Sequence, residues 1–330
     1  MRTAFTLIEL IFVIVVFAII SMFGADLYTK IYESYIHTRA MNQLEERTQN
    51  AVTIISSRLE ERIRGTVIAR IQADNTFVDV HSATANHDIL EWIAQSTESR
   101  NLPGGAGAAS VGWSGFADTN SPGIDSTAGA GGVARGNQVF NFISQGSNLN
   151  RVAAVIQNLR GGGAAVGNFG IIFRDIVSNT GPAGAYGFDI GTNGNQFVAT
   201  AQAGGAELMS VTAFPSRPDP GSGGFMYEVS EQYYLTHTAY AIVPGPVAAN
   251  YAGLGAGARN FDLFLRYNYM PWTGQDYVNA TNSLLVRDVS LFRFRDLSGS
   301  IALKLCLRDG GRNINPAQLD LIVCKSQVVF

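Results

Sequence analysis

The chain has 330 residues, which is enough for one large domain or two smaller ones with a sizeable hydrophobic core. Charged residues make up 15% of the sequence, and 36 residues are glycine, a composition that favours a loop-rich and β-rich protein. The formal net charge of −3 lacks the basic excess expected of a protein that binds nucleic acid or anionic lipid through charge. We therefore predict no nucleic-acid partner.

An almost unbroken apolar run extends from Phe5 to about Ala25. A helix over this run, rising about 1.5 Å per residue, is long enough to cross a bilayer. No convincing small-x-small cleavage site follows the run, so we expect the helix to be retained. The only interruptions in the run are Thr6, Glu9, Ser21 and Gly24.

Glu9 is the unusual residue of this span. An unpaired carboxylate near one end of a membrane helix costs about 2–3 kcal/mol to insert. No basic residue of the same helix is placed to pair with it, so we predict a partner from another molecule. The alternative is that Glu9 sits at the headgroup boundary without a partner.

The leader 1–4 (MRTA), followed by FTLIEL and a run of Val, Ile and Phe, resembles the class III signal of type IV prepilins and type II secretion pseudopilins. The resemblance covers about the first thirty residues. It implies that a prepilin peptidase cleaves between Ala4 and Phe5 and methylates the new Phe5 amine. It also implies that Thr6 and Glu9 serve assembly, with the Glu9 carboxylate meeting the N-terminal amine of a neighbouring subunit.

Two positions depart from the family pattern. Ala4 stands where the family usually has Gly, and Asp26 stands near the position of a proline common in major pilins. The resemblance still places the leader in the cytoplasm, 5–25 in the bacterial inner membrane and everything after about Asp26 in the periplasm. The periplasm is an oxidising space in which disulfides form.

Apolar and small residues continue beyond the span in steps of three or four positions. This spacing predicts an amphipathic half of the same helix over 26–65, with Gly65 placed to end it. The alternative is a signal anchor followed by a separate coiled segment. The predicted stripe consists of Leu27, Ile31, Tyr35, Thr38, Met41, Leu44, Thr48, Val52, Ile55, Leu59 and Ile63.

From Thr66 onwards, apolar residues tend to recur at every second position instead of every three or four, which predicts a β-rich head over 66–330. A first hairpin is expected from 67–71 and 77–80 around a turn at Asp74 and Asn75. Residues 89–93 fit a strand or a short helix, and 169–177 fit a strand. Glycine-rich insertions interrupt the head at about 103–136, 161–170 and 215–224.

The last hundred or so residues predict an antiparallel sheet. Strands are expected at 225–243, 261–269, 284–294, 300–307 and 319–329, with turns at 244–246, 271–274 and 296–299. In an oxidising space, Cys306 and Cys324 predict a disulfide, and a pair of unbonded buried thiols is the alternative.

The C-terminal block also carries a resemblance. Residues 231–235 and 285–294 resemble the J-type minor pseudopilins and the W-type minor pilins. This implies an α+β, type IV pilin-like fold in which the long N-terminal helix packs on an enlarged antiparallel sheet. It also implies a place in the small complex of minor subunits that begins a filament.

The sequence contains no strong motif for enzyme chemistry. The four histidines are scattered, and no HExxH or Cys/His cluster predicts a metal or cofactor site. The stretch Gly112–Phe116 is similar to a nucleophile elbow but lacks glycine two positions after the serine, so a turn is expected there. We predict that the chain is not an enzyme and needs no cofactor.

Three functions remain open from the sequence. The favoured one is a minor pilin or pseudopilin of a type IV pilus or a type II secretion system. Its partners would be other pilin subunits, the prepilin peptidase and inner-membrane lipid. The second is a module of the same build that acts as a tip adhesin or binds secreted cargo, and the third is a membrane-anchored periplasmic enzyme.

Overall fold

The structure is a computed structural model that describes residues 6–102, 111–118, 140–161, 168–174, 186, 197–213, 216–218, 225–227, 229–247, 260–309 and 321–330. Most of the predicted glycine-rich insertions at 103–136, 161–170 and 215–224 lie outside the described residues. The described chain combines one long N-terminal helix with a large antiparallel sheet that forms a half-barrel, as the predicted α+β class requires.

Three α-helices and fifteen strands make up the described architecture. The helices are α1 (Leu7–Glu60), α2 (Thr97–Arg100) and α3 (Leu149–Leu159). The strands are β1 (Ile68–Arg70), β2 (Phe77–Asp79), β3 (Ile89–Ala94), β4 (Phe140–Ile143), β5 (Phe169–Phe173), β6 (Ala199–Ala203), β7 (Leu208–Ala213), β8 (Ser216–Pro218), β9 (Phe225–Tyr227), β10 (Tyr233–Thr236), β11 (Thr238–Val247), β12 (Phe261–Tyr269), β13 (Thr281–Leu297), β14 (Ser300–Arg308) and β15 (Ile322–Val329).

Helix α1 has two halves with different surroundings. Every side chain from Thr6 to Tyr35 is exposed, whereas one face is buried from Ala40 onwards. The predicted continuous helix is therefore confirmed, and the sheet begins to cover it only in its second half. The buried residues are Ala40, Leu44, Thr48, Ala51, Val52, Ile55, Ser56 and Leu59.

The predicted stripe differs from this buried face in two places. Leu27, Ile31 and Tyr35 are exposed because none of the described chain lies against that part of the helix. Nearer the head, Thr38 is also exposed, and Ala40 is buried in place of Met41. The helix also ends at Glu60 and not at Gly65. Past that end, Arg62 forms an isolated bridge with Ala94 of β3, and Gly65 adopts a φ of 81° in the following turn.

The large sheet has eight strands in the order β15-β14-β13-β12-β11-β3-β1-β2, all paired antiparallel. Its five C-terminal strands are consecutive neighbours, which confirms the predicted C-terminal sheet. The first hairpin is also confirmed: β1 pairs with β2 across a turn in which Asn75 has a φ of 59°. Residues 89–94 form a strand and not a helix.

A second sheet of five strands, in the order β10-β5-β6-β7-β4, is inserted between β3 and β11 of the large sheet. Helix α3 buries Leu149, Val152 and Ile156 in the core of this unit together with Phe142 and Phe173. Strands β3 and β11 nevertheless pair directly with each other. The small sheet with its helix is thus an insertion between two neighbouring strands.

The predicted single strand over 225–243 is wrong. The chain leaves the small sheet at the end of β10, passes the buried His237 and enters the large sheet as β11. The predicted turn at 244–246 is also wrong, because β11 continues to Val247 and pairs with β12 through an irregular register after Pro244. Gly245 lacks a Cβ at this point, and Phe264 lies in the space that a Cβ would occupy.

The middle of the large sheet is buried on both faces, so its strands do not show a simple alternation of apolar and polar residues. In β3, Leu90 and Trp92 join the core that surrounds α1. Ile89 and Ile93, on the opposite face, join a core shared with Ile172 of the small sheet. The half-barrel thus holds the packed half of α1 on one face and the inserted unit on the other.

Cys306 and Cys324 lie directly opposite each other on β14 and β15 and form a disulfide. The predicted pairing is confirmed. The predicted turn at 296–299 is present as well, with Ser298 and Gly299 at φ values of 54° and 96°. Together these features hold β13, β14 and β15 in a regular antiparallel meander at one end of the sheet.

Candidate assembly helix

The described chain begins at Thr6, the residue that caps α1. The carbonyl of Thr6 accepts hydrogen bonds from the main-chain N–H groups of Glu9 and Leu10 at 3.1 and 3.2 Å, and its hydroxyl makes no capping bond. Ala4 and Phe5 lie outside the described residues. Cleavage between them and methylation of the Phe5 amine stay predictions.

The exposed half of α1 presents a long, continuous apolar surface. An 18-residue window of this helix has a mean hydropathy of 2.8, and none of it is buried. By length and composition the helix could span a membrane, and it is the one described helix that meets this criterion. In water such a surface would be very unfavourable, which favours a lipid or protein environment for it.

Glu9 is exposed in the first turn of this surface. Among the described residues, no ion pair involves Glu9. Its position at the helix N-terminus is favourable, since the backbone amides there carry partial positive charge. A carboxylate on an apolar helix that finds no cation within its own described chain fits the prediction of an intermolecular partner.

The apolar surface ends at an ion pair and an aromatic pair. Lys30 lies 3.2 Å from Asp26, one helical turn away, and the rings of Tyr28 and Tyr32 stack at 6.5 Å. Tyrosines and charges of this kind are typical of the level where a membrane meets water. At Asp26, where a proline is common in major pilins, the helix continues without a break, and Thr29 donates its hydroxyl to the Asp26 carbonyl at 2.9 Å.

The packed half of α1 is fixed to the head by ion pairs as well as by its buried face. Lys325 of β15 lies 2.8 Å from Glu45, and Arg47 lies 3.1 Å from Asp288 of β13. These pairs are partly exposed and each contributes little alone. Their main effect is to fix the orientation of α1 against β13 and β15.

Arg62 secures the C-terminal end of the helix, and the sequence pattern did not predict this. Its buried guanidinium donates to the carbonyls of Leu59 at 2.9 Å and Gly299 at 2.8 Å, and to the main-chain oxygen of Phe330 at 3.2 Å. Burial lowers the pKa of Arg62, although the group stays charged. A basic residue just past a helix end is a weak sequence signal for such a role.

A second buried network lies between β1, β3 and β12. The Nε and Nη2 atoms of Arg70 are each 2.9 Å from Oε2 of Glu91, and the Tyr269 hydroxyl donates to Oε1 of Glu91 at 2.8 Å. Burial raises the pKa of Glu91, and the Arg70 charge and the Tyr269 hydrogen bond oppose that rise. The network joins strands far apart in sequence, so no local pattern indicated it.

The junction between the two sheets holds a third buried polar group. Nδ1 of His237 lies 2.8 Å from the Ser96 hydroxyl, which lies 2.6 Å from the Ser99 hydroxyl. Burial lowers the pKa of His237 to about 4, so the ring is neutral near pH 7. All three side chains are buried. A serine and a histidine without solvent access provide structural hydrogen bonds rather than a nucleophile and its base.

The remaining residues considered from the sequence as metal ligands or as a nucleophile do not form a catalytic or metal-binding group among the described residues. Within the described residues, no group of three or more His, Cys, Asp or Glu side chains could hold a metal ion. Ser114, in the stretch similar to a nucleophile elbow, lies in a loop, and its hydroxyl is 3.2 Å from the Ser144 hydroxyl. Residues 115–118, the described residues that follow it, form no helix, and the chain bends at Gly115, which has a φ of 79°, as the expected turn requires.

Comparison with protein-family models, with curated proteins and with solved structures gives no match for this chain. The functional assignment therefore depends on the residues and geometry described above.

Proposed function

We propose that this chain is a minor pilin or pseudopilin that assembles through its N-terminal helix into a type IV pilus or a type II secretion pseudopilus. One observation carries the proposal. A single helix is wholly exposed and apolar over its first half, bears Glu9 in its first turn and continues without a break into a half that packs inside the head.

This arrangement suits a subunit that moves from a membrane into a filament. The apolar half lies in lipid before assembly and against the helices of other subunits afterwards, so its surface stays out of water in both states. Glu9 then gains the N-terminal amine of a neighbour, which offsets the cost of burying a carboxylate. A soluble enzyme has no use for such a surface.

The inserted unit between β3 and β11 favours a second role for the same subunit. It has its own core around α3, and removal of it would leave β3 and β11 paired with each other. We therefore propose that this unit presents a binding surface, as a tip adhesin or a cargo receptor, while α1 performs assembly. Loss of assembly on deletion of 97–236 would contradict this division.

The experiment that tests the main proposal compares sheared extracellular material from wild-type cells and a deletion strain by quantitative mass spectrometry. Loss of the major pilin with normal secreted proteins would assign the chain to a pilus. Loss of secreted proteins with normal pilin would assign it to a secretion system. If both are unchanged, the proposal is wrong.

A further inference from the structure

We propose that the free edge of β15 accepts an extended strand from a different protein, which pairs with it antiparallel and extends the large sheet. Strand β15 is the last strand in the sheet order, and β14 is its one neighbour among the described residues. Eight residues of β15 are in register with β14, without a bulge. Its other side therefore presents a row of main-chain donors and acceptors.

The disulfide identifies which main-chain groups face outwards. Antiparallel partners alternate between hydrogen-bonded pairs, about 5.5 Å apart at Cα, and non-hydrogen-bonded pairs, about 4.5 Å apart. The Cα atoms of Cys306 and Cys324 are 4.0 Å apart, so this pair is of the second kind. The N–H and C=O of Cys324 then point away from β14, and those of Ile322, Ser326 and Val328 do the same.

Within the described residues, strand β15 itself carries few of the features that usually prevent strands from adding to a sheet. Short strands, prolines, bulges and protruding charges are the common protections. The sequence of β15, IVCKSQVV, has no proline and one charge, Lys325, which is held by Glu45 of α1 at 2.8 Å. Ile322 and Val328 are 42% and 40% exposed beside the outward main-chain groups. They offer an incoming strand apolar contacts at alternate positions.

The disulfide also prepares the edge for binding. It joins β15 to β14 at the third of the eight residues of β15. At the far end, Arg62 donates to the main-chain oxygens of Val329 and Phe330. An edge fixed at two points loses little conformational entropy when a partner binds. A partner that adds in this way gains its affinity from main-chain hydrogen bonds and its specificity from alternate side chains.

The direction of β15 argues for a different protein over a second copy. Lys325 contacts Glu45 while Val329 contacts Arg62, so β15 runs in the same direction as α1. Two copies anchored in one membrane would present their β15 strands in parallel, whereas antiparallel pairing is the more stable kind. The partner strand therefore runs towards the membrane. This choice of partner rests on the anchoring proposed above, while the binding edge itself does not.

The test measures binding of a fluorescent octapeptide of alternating valine and threonine to the full-length chain in nonionic detergent, by fluorescence anisotropy. Ser326→Pro removes an outward N–H while the bonds to β14 remain, and Ser326→Ala is its matched control. A peptide N-methylated at alternate residues provides a control on the ligand side. We expect saturable binding that falls about tenfold or more with Ser326→Pro or the methylated peptide, and changes less than about twofold with Ser326→Ala.

Absence of saturable binding to the wild-type chain, or equal binding by Ser326→Pro, would overturn the proposal. If Ser326→Pro fails to fold, the methylated peptide on the wild-type chain decides the question. Peptide binding that competes with self-association of the chain, followed by sedimentation, would assign the edge to a second copy and would also overturn it. The assay needs no filament, so a negative binding result would not contradict the proposed role in assembly. A chain that fails to assemble would likewise not contradict the proposal that β15 binds a strand.

Discussion

Replacing Arg70 by methionine should destabilise the head by about 3–5 kcal/mol, the usual cost of removing one partner of a buried ion pair. The side chains of Arg70 and Glu91 are only 3% and 1% exposed, and two guanidinium nitrogens lie 2.9 Å from the same carboxylate oxygen. In the variant, the Glu91 carboxylate would keep one strong donor, the hydroxyl of Tyr269 at 2.8 Å. Most of its lost hydration would then be uncompensated.

The assay is urea unfolding of the full-length chain in nonionic detergent, followed by tryptophan fluorescence. This signal reports the head, because the three tryptophans of the sequence are all buried there. The matched control is the double variant Arg70→Met with Glu91→Leu, which removes both charges and should recover most of the lost stability. The three tryptophans are Trp92, Trp113 and Trp272.

The pH dependence gives a second check. Burial raises the pKa of Glu91 in the wild-type chain, and loss of Arg70 would remove the largest opposing influence. A carboxyl group whose pKa is higher in the folded chain than in the unfolded chain destabilises the fold at high pH, and this loss disappears once the group is protonated in both states. The loss of stability in the Arg70→Met variant should therefore shrink as the pH falls towards 4.5. A loss below about 1 kcal/mol at pH 7, or a double variant no more stable than the single one, would refute this reasoning.

Three further predictions use the same unfolding assay. Because His237 has a pKa of about 4 when folded and an ordinary value of 6.5, stability should fall by up to about 3 kcal/mol as the pH drops between these values, and His237→Gln should flatten that decline. Cys324→Ser should cost about 3 kcal/mol by opening the loop that its bond to Cys306 closes, and a cost below about 1 kcal/mol would contradict this. Gly112→Ala should cost about 2 kcal/mol or more, because the new Cβ would meet the main-chain oxygen of Ser99, and an unchanged midpoint would count against the packing described here.

The features predicted from sequence were those with a local periodic signal. Helix α1 carries a long apolar run and then a stripe of apolar residues at helical spacing. The segments of β12 to β15 show alternating apolar and polar residues and are bounded by turn-forming residues. The disulfide was predicted from two cysteines in neighbouring strands, together with the oxidising compartment that the prepilin resemblance implies. Each of these inferences needs only residues close together in the chain.

The features that sequence reasoning missed depend on distant residues. His237 marks the point where the chain changes sheets, but the alternating pattern runs through it without interruption, so one strand was predicted over 225–243 where the chain forms β9, β10 and the first part of β11. Arg62 meets Gly299, and Glu91 meets Tyr269, only after the sheet has folded around the helix. The spacing of apolar residues along the sequence contains no information about such pairs.

Helix α3 is a different kind of omission, since its sequence did contain a signal. Leu149, Val152 and Ile156 recur at helical spacing, and the Asn148 side chain caps the helix by accepting from the Arg151 N–H at 3.3 Å. Glycine-rich stretches precede and follow this short amphipathic segment. The capping residue and spacing together were enough to predict it.

The measurement that tests the assembly proposal most directly is the amount of this chain in sheared filaments from cells that carry Glu9→Gln. Glu33→Gln, on an exposed part of the same helix, is the matched control. If Glu9 pairs with the amine of a neighbouring subunit, Glu9→Gln should reduce incorporation by about tenfold or more at equal expression, and Glu33→Gln should change it by less than about twofold. Incorporation of both variants at the wild-type level would contradict the proposal that the Glu9 carboxylate directs assembly.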